Sequence, residues 1–132
     1  MRVVLRDDFF HDGRGPELKA AHYSPPGSKL LAVDYVNPPL RDAPYGDLRH
    51  VEFFNAQVFM FTPEEVENYD NSPTPWAATN NGAAISLGRS SWLRSFAPGH
   101  LERCEHYRFM FYDEFLDIIC EEARAKPGGY GQ

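Results

Sequence analysis

The sequence predicts an α+β domain in which a mainly antiparallel sheet packs against a C-terminal helix, with one short helix after the central strand. Runs of β-branched and aromatic residues alternate with turns rich in proline and glycine, as strands and their connections do. Apolar residues between Asp113 and Ala125 recur at helical spacing. The 132 residues fit one globular domain, residues 1–132, and we expect residues 126–132, which end in "PGGYGQ", to form a flexible tail.

Three segments of the N-terminal half are predicted strands. "MRVVLR" is a short β-branched run, and "KLLAVDYV" follows a proline-glycine turn. "LRHVEFFNAQVFMF" has the strongest strand pattern, and its second half is apolar on both faces, which places it in the middle of the sheet. Between the first two strands, "ELKAAHY" fits either a helical turn or an irregular connection.

The short helix is predicted in "TPEEVENY", directly after the central strand. Thr62 can cap its start, Pro63 suits the first helical position, and Glu65 completes a capping box. The prolines of "DNSPTP" end it. Beyond a long polar connection, "GAAISLG" is a weak strand, and "SSWLRSF" is one helical turn or a strand tail, with Ser90 and Ser91 as candidate caps.

The C-terminal helix is predicted from Asp113 to Ala125. Its core-facing stripe is apolar and its other side is charged, as in an amphipathic helix. The stripe consists of Phe115, Leu116, Ile119, Cys120 and Ala123. Residues 101–112 fit either a backward extension of this helix or a strand in "EHYRFMFY", and the clustered aromatic residues favour the strand.

Composition and charge limit the classes of partner. The formal net charge is −6, so binding to nucleic acid or to an anionic membrane is disfavoured. No apolar run approaches the ~18 residues that span a bilayer, and the N-terminus does not resemble a secretory signal. Two cysteines do not make a disulfide framework, which favours a cytoplasmic protein. Arg89, Arg94, Arg103 and Arg108 are interpreted as ordinary surface charge.

The sharpest candidate for chemistry is Cys104 with His100 and His106. Two or three ligands without paired zinc spacing do not make a metal site, so we expect neither a metal nor a cofactor. Glu102 and Glu105 would oppose a reactive thiolate at Cys104, so no catalytic residue is assigned. We interpret both cysteines as buried filler.

Three functions remain open, and the first is favoured. It is a non-catalytic interaction domain, such as an inhibitor or immunity-type protein, which would use an acidic helix face and exposed aromatic residues to bind a protein partner. The second is a small-molecule-binding protein or enzyme with a pocket near Cys104 and His106. The third is a structural homodimer. The candidate binding residues are Trp76, His50, Cys104, His106, Asp113, Glu114, Asp117 and Glu121.

Overall fold

The regular secondary structure of the described residues is mainly β-strand. The structure, a computed structural model, describes residues 1–9, 15–24, 27–38, 46–66 and 82–132. The strands in this part of the chain are β1 (Arg2–Val3), β2 (Glu17–Ser24), β3 (Leu30–Val36), β4 (Leu48–Phe54), β5 (Val58–Pro63), β6 (Ala84–Gly88), β7 (Glu105–Met110), β8 (Glu114–Cys120) and β9 (Glu122–Pro127). Helix α1 is a single turn, Ser91–Arg94, and 3-10 turns span Glu64–Val66 and Gly99–Leu101.

The strands form two antiparallel sheets. One has five strands in the order β1-β6-β7-β8-β5, and the other has four in the order β2-β3-β4-β9. The inner faces of the two sheets enclose the main core, as in a sandwich. That core includes Phe9, whose ring lies 5.0 Å from the ring of Tyr35 and 5.0 Å from that of Phe109.

The β4–β9 pair of the four-stranded sheet continues into the β5–β8 pair of the five-stranded sheet. The β4–β9 ladder ends where Phe54 lies opposite Glu122, and the β5–β8 ladder begins where Val58 lies opposite Ile119. At this corner the Glu121 N–H donates to the Phe54 carbonyl at 2.9 Å. Asn55 has a positive φ of 55°, a conformation that asparagine tolerates better than most residues. The predicted central strand is therefore two strands, divided by this corner.

The predicted C-terminal helix is wrong, and with it the α+β fold class. Residues 114–120 form β8 and residues 122–127 form β9, so no C-terminal helix packs on either sheet. The segment "FLDIIC" is buried on both faces: Leu116, Ile118 and Cys120 face the main core, while Phe115 and Ile119 pack in outer clusters. A run that is apolar on both faces contains a helical stripe by coincidence, so spacing alone could not separate helix from strand.

The other predicted elements have mixed outcomes. The strand interpretation of "EHYRFMFY" is confirmed by β7, and "MRVVLR", "KLLAVDYV" and "GAAISLG" each contain a strand. "ELKAAHY" is neither a helical turn nor irregular, because it pairs with β3 as β2. The short helix after the central strand is wrong where described: β5 continues to Pro63, and a 3-10 turn follows at Glu64–Val66, while residues 67–69 lie outside the described residues.

The last residues, which include the predicted flexible tail, form a turn with specific contacts. The Tyr130 N–H donates to Asp34 Oδ1 at 2.8 Å, and the Gly128 carbonyl accepts from His50 Nδ1 at 2.8 Å. The Tyr130 ring lies 5.5 Å from the His22 ring. The turn thus lies over the outer face of the four-stranded sheet. Within the described residues, no helix has the length and apolar character that crossing a membrane requires.

Candidate functional site

A buried charged cluster lies on the outer face of the five-stranded sheet. Tyr107 and Phe109 of β7 point into the main core, so His106 and Arg108, which alternate with them along the strand, point outward. Asp117 of β8 lies directly opposite Arg108 in the antiparallel register. All three polar residues are buried, with exposed fractions of 6% for His106, 7% for Arg108 and 2% for Asp117.

Asp117 is the centre of this cluster. Arg108 donates from Nε to Asp117 Oδ1 and from Nη2 to Oδ2, both at 2.9 Å, in the bidentate geometry that suits a carboxylate. His106 Nε2 lies 2.8 Å from the same Oδ1. Burial alone would raise the pKa of Asp117, but the hydrogen bonds from His106 and Arg108 outweigh it and hold that pKa below its usual value. Asp117 is therefore an anion.

The hydrogen bonds of His106 define its tautomer. A carboxylate can only accept, so His106 Nε2 carries a proton and donates it to Asp117. In the neutral ring, Nδ1 then has a free lone pair, and Ser90 Oγ lies 2.8 Å from it. The same hydroxyl oxygen accepts from the Leu93 N–H at 3.2 Å, which makes Ser90 the N-cap of α1. The sequence-based assignment of Ser90 as a cap is confirmed.

A pocket of about 330 Å³ opens over this cluster. Its lining combines the charged floor with apolar walls from β5, β6 and α1. The lining residues are Met60, Leu87, Ser90, Ser91, Trp92, His106, Arg108 and Asp117. The Trp92 ring lies 4.8 Å from the His106 ring in an edge-to-face arrangement. Two groups of apolar side chains flank the charged residues on this face of the sheet. One surrounds Leu93 and Ile119, and the other surrounds Ile85 and Phe115.

Two further pockets have a different character. One of about 290 Å³ is lined by residues that include Glu17 and Asp113, and one of about 400 Å³ by residues that include Lys19 and Glu114. Their charged side chains are exposed or half-exposed. Neither pocket therefore has a buried, ionised group of the kind that marks functional sites.

His106 lines the pocket over the charged cluster, but Cys104 does not. Cys104 is 1% exposed and packs against Leu93, Leu101 and Ile119. Burial, followed by the negative charge of Glu121, raises the pKa of the Cys104 thiol, so the neutral form is favoured at neutral pH. The structure thus brings His106 together with Ser90, Arg108 and Asp117 instead of with a reactive thiol.

The remaining sequence-predicted residues are dispersed. His50 lies on the other sheet, where its Nδ1–H donates to the Gly128 carbonyl. Trp76 lies outside the described residues. The acidic helix face does not form, because the helix does not. Asp113 and Glu121 are exposed next to the ends of β8, Glu114 is half-exposed, and Asp117 is buried in the cluster.

Sequence reasoning missed two members of the site. Arg108 was interpreted as surface charge, yet it is buried and paired. Ser90 was considered only as a cap. A signal for Arg108 was present: in a hairpin with its tip at Tyr112 and Asp113, Arg108 and Asp117 are cross-strand partners, and opposite charges there attract.

The arrangement can hold an imidazole and a hydroxyl in fixed positions at the edge of an apolar pocket. Among the described residues, no three His, Cys, Asp or Glu side chains are grouped so as to hold a metal ion. Comparison of the chain with protein-family models, with curated proteins and with solved structures finds no match.

Proposed function

We propose that this protein binds a small molecule in the pocket over the cluster of His106, Arg108 and Asp117. The observation that carries the proposal is a network of buried charges at the floor of a pocket with apolar walls. Buried ion pairs contribute little net stability compared with apolar packing, so they are weak evidence for a structural role. Apolar pockets with a few converging polar groups are the usual form of a ligand site.

The chemistry of the lining favours an uncharged, mainly apolar ligand. The charges of Arg108 and Asp117 neutralise each other, and the walls include Met60, Leu87 and Trp92. The volume of about 330 Å³ lies near the lower end of the range of about 300–1,000 Å³ for ligand pockets. A single aromatic ring with one hydrogen-bonding group suits this space, with the ring against Trp92 and the polar group near Ser90.

Binding of simple aromatic probes tests the proposal. Phenol and benzamide, added separately to ¹⁵N-labelled protein, should shift the NMR signals of the Trp92 indole N–H and the Ser90 and Ser91 amides in a saturable manner. A probe at ten times its dissociation constant should also raise the free energy of unfolding by about 1.4 kcal/mol, through mass action.

A blocked pocket provides the matched control. Met60→Trp adds a large ring at the pocket mouth, where Met60 is 48% exposed, and should abolish the shifts. Val66→Trp places the same ring at a site that is 66% exposed and outside the pocket lining, and should leave them unchanged. Shifts that scatter over the surface, or that persist in Met60→Trp, would contradict the proposal.

The functions inferred from composition stay predictions. The acidic helix face that favoured an interaction domain is not formed, and no observation identifies a protein partner or a homodimer contact. A cytoplasmic location likewise rests on the number of cysteines alone.

A further inference from the structure

Ser90, His106 and Asp117 form a continuous hydrogen-bonded chain at the pocket. We infer that Ser90 is a nucleophile that accepts the acyl group of small activated esters, with His106 as its general base and Asp117 as the residue that positions His106. This inference rests on the proposed function, because the ester must enter the same pocket.

The geometry meets the criteria for an activated nucleophile. Such a site needs the nucleophile within hydrogen-bond reach of a base, and the base oriented by a third group. Ser90 Oγ lies 2.8 Å from His106 Nδ1, and Asp117 Oδ1 lies 2.8 Å from His106 Nε2. In many serine hydrolases the nucleophile lies at Nε2 and the carboxylate at Nδ1. Here the nucleophile lies at Nδ1 and the carboxylate at Nε2, but the two roles require only one nitrogen that carries a proton and one with a free lone pair.

The neighbouring contacts hold the chain of groups in place. The two hydrogen bonds from Arg108 fix Asp117 on the sheet. The Leu93 N–H donates to Ser90 Oγ, so the hydroxyl proton of Ser90 is left to point at His106 Nδ1. Because these groups lie on paired strands and at a capped turn, little reorganisation is needed before reaction.

The proposed reaction is an acyl transfer to Ser90. His106 Nδ1 takes the hydroxyl proton while Oγ forms a bond to the ester carbonyl carbon. The bond from that carbon to the leaving oxygen then breaks, and the proton on Nδ1 passes to the leaving group. Water then hydrolyses the ester formed with Ser90. Nδ1 takes a proton from the water as its oxygen adds to the acyl carbon, the bond from that carbon to Oγ breaks, and the proton on Nδ1 returns to Ser90. The Nε2 proton stays in its hydrogen bond to Asp117 throughout.

The pocket favours aryl esters of short carboxylic acids. Its walls are apolar, the charges of Arg108 and Asp117 on its floor neutralise each other, and its volume suits one ring with a short acyl chain. A phenolate leaves readily, so such esters depend less on stabilisation of the oxyanion than amides or alkyl esters do.

4-Nitrophenyl acetate is the test substrate. The protein should release about one equivalent of 4-nitrophenolate in a burst, and mass spectrometry should find one acetyl group, on Ser90. Ser90→Asn should lose the burst although asparagine retains the helix cap. His106→Asn should slow the burst by a factor on the order of 10²–10⁴, the usual contribution of a general base. Ser95→Ala, which removes an exposed hydroxyl outside the pocket lining, should react like the wild type.

The burst rate per folded molecule tests the positioning role of Asp117. Asp117→Asn should lower that rate, because an amide can donate to Nε2 and so favours the tautomer in which Nδ1 is protonated and cannot act as the base. A merely structural role of Asp117 would lower the amount of folded protein without changing the burst rate per folded molecule.

The possible outcomes separate this inference from the proposed function. Acetylation at another residue, or a burst that survives in Ser90→Asn, overturns the inference. If phenol still shifts the Trp92 signal while no acetylation occurs, the inference fails and the binding function stands. If neither binding nor acetylation is seen, both fail. Should His106→Asn not fold, the comparison of wild type with Ser90→Asn decides the question.

Discussion

The two cysteines pack in two different hydrophobic clusters. Cys120 faces the core between the sheets, whereas Cys104 packs in the outer cluster beneath α1. Both are unpaired thiols with at most 1% exposure. Burial raises the pKa of each, and for Cys120 the proximity of Cys104 raises it further. This role could be predicted from the sequence, because acidic neighbours and apolar spacing already opposed a reactive thiolate.

We expect neither thiol to react in the native protein. Ellman's reagent should release almost no thionitrobenzoate from folded protein within minutes, and two equivalents in guanidinium chloride, because only unfolding exposes the thiolates. Cys104→Ala and Cys120→Ala should each release one equivalent on unfolding. A thiol that reacts rapidly in the folded state would show that one cysteine is accessible and would reopen a catalytic role for it.

At the scale of elements, β8 shows why the fold class was predicted wrongly. Strands with alternating or β-branched residues, such as β3 and β7, could be recognised from local pattern. β8 is flanked by β5 and β7 and covered on both faces, so it has no polar face to reveal its period of two. The same error explains why the charged cluster was not predicted, since Asp117 was placed on the solvent-facing side of a helix.

Substitutions in β8 distinguish the strand from the predicted helix. Ile118 and Ile119 are both fully buried, on opposite faces of the strand. Ile118→Asp and Ile119→Asp should therefore both prevent folding, because each buries an unpaired charge. On the predicted helix, Ile118 would lie beside the polar side and its substitution would be tolerated.

An exposed position nearby serves as the control. Glu121→Ala should change the free energy of unfolding by no more than about 0.5 kcal/mol, since its side chain is exposed and its backbone hydrogen bond to Phe54 is retained. Urea unfolding followed by circular dichroism measures all three variants. A folded, stable Ile118→Asp variant would be incompatible with the strand.

At the scale of the whole molecule, two buried carboxylates link stability to pH. Asp34 accepts from the Tyr130 N–H and from His22, and Asp117 accepts from His106 and Arg108. Burial opposes ionisation at both, yet the hydrogen bonds lower the pKa of each below the value of an unfolded chain. Their contribution to stability is therefore complete above the unfolded pKa of about 3.9 and is lost as the pH falls through the folded pKa.

We accordingly expect acid destabilisation that begins near pH 4. The free energy of unfolding in urea should fall as the pH decreases below about 4, because the unfolded chain then binds protons that the folded protein does not. Asp34→Asn should reduce the steepness of this fall, whereas Asp47→Asn, at an exposed carboxylate, should not. An Asp34→Asn variant with the full acid dependence would show that the contacts of Asp34 do not stabilise its charge.

Which strands join which sheet could not be predicted, because the pattern within a strand does not identify its neighbours. β4 and β9 are separated by most of the C-terminal half of the sequence, yet they pair and continue into the β5–β8 pair. Bringing them together costs chain entropy before any contact is gained, so the molecule should reach its native state slowly for its size, on the order of milliseconds to seconds. Until the β4–β9 ladder forms, β4 presents an edge of unpaired backbone N–H and C=O groups to other chains, and aggregation competes with folding.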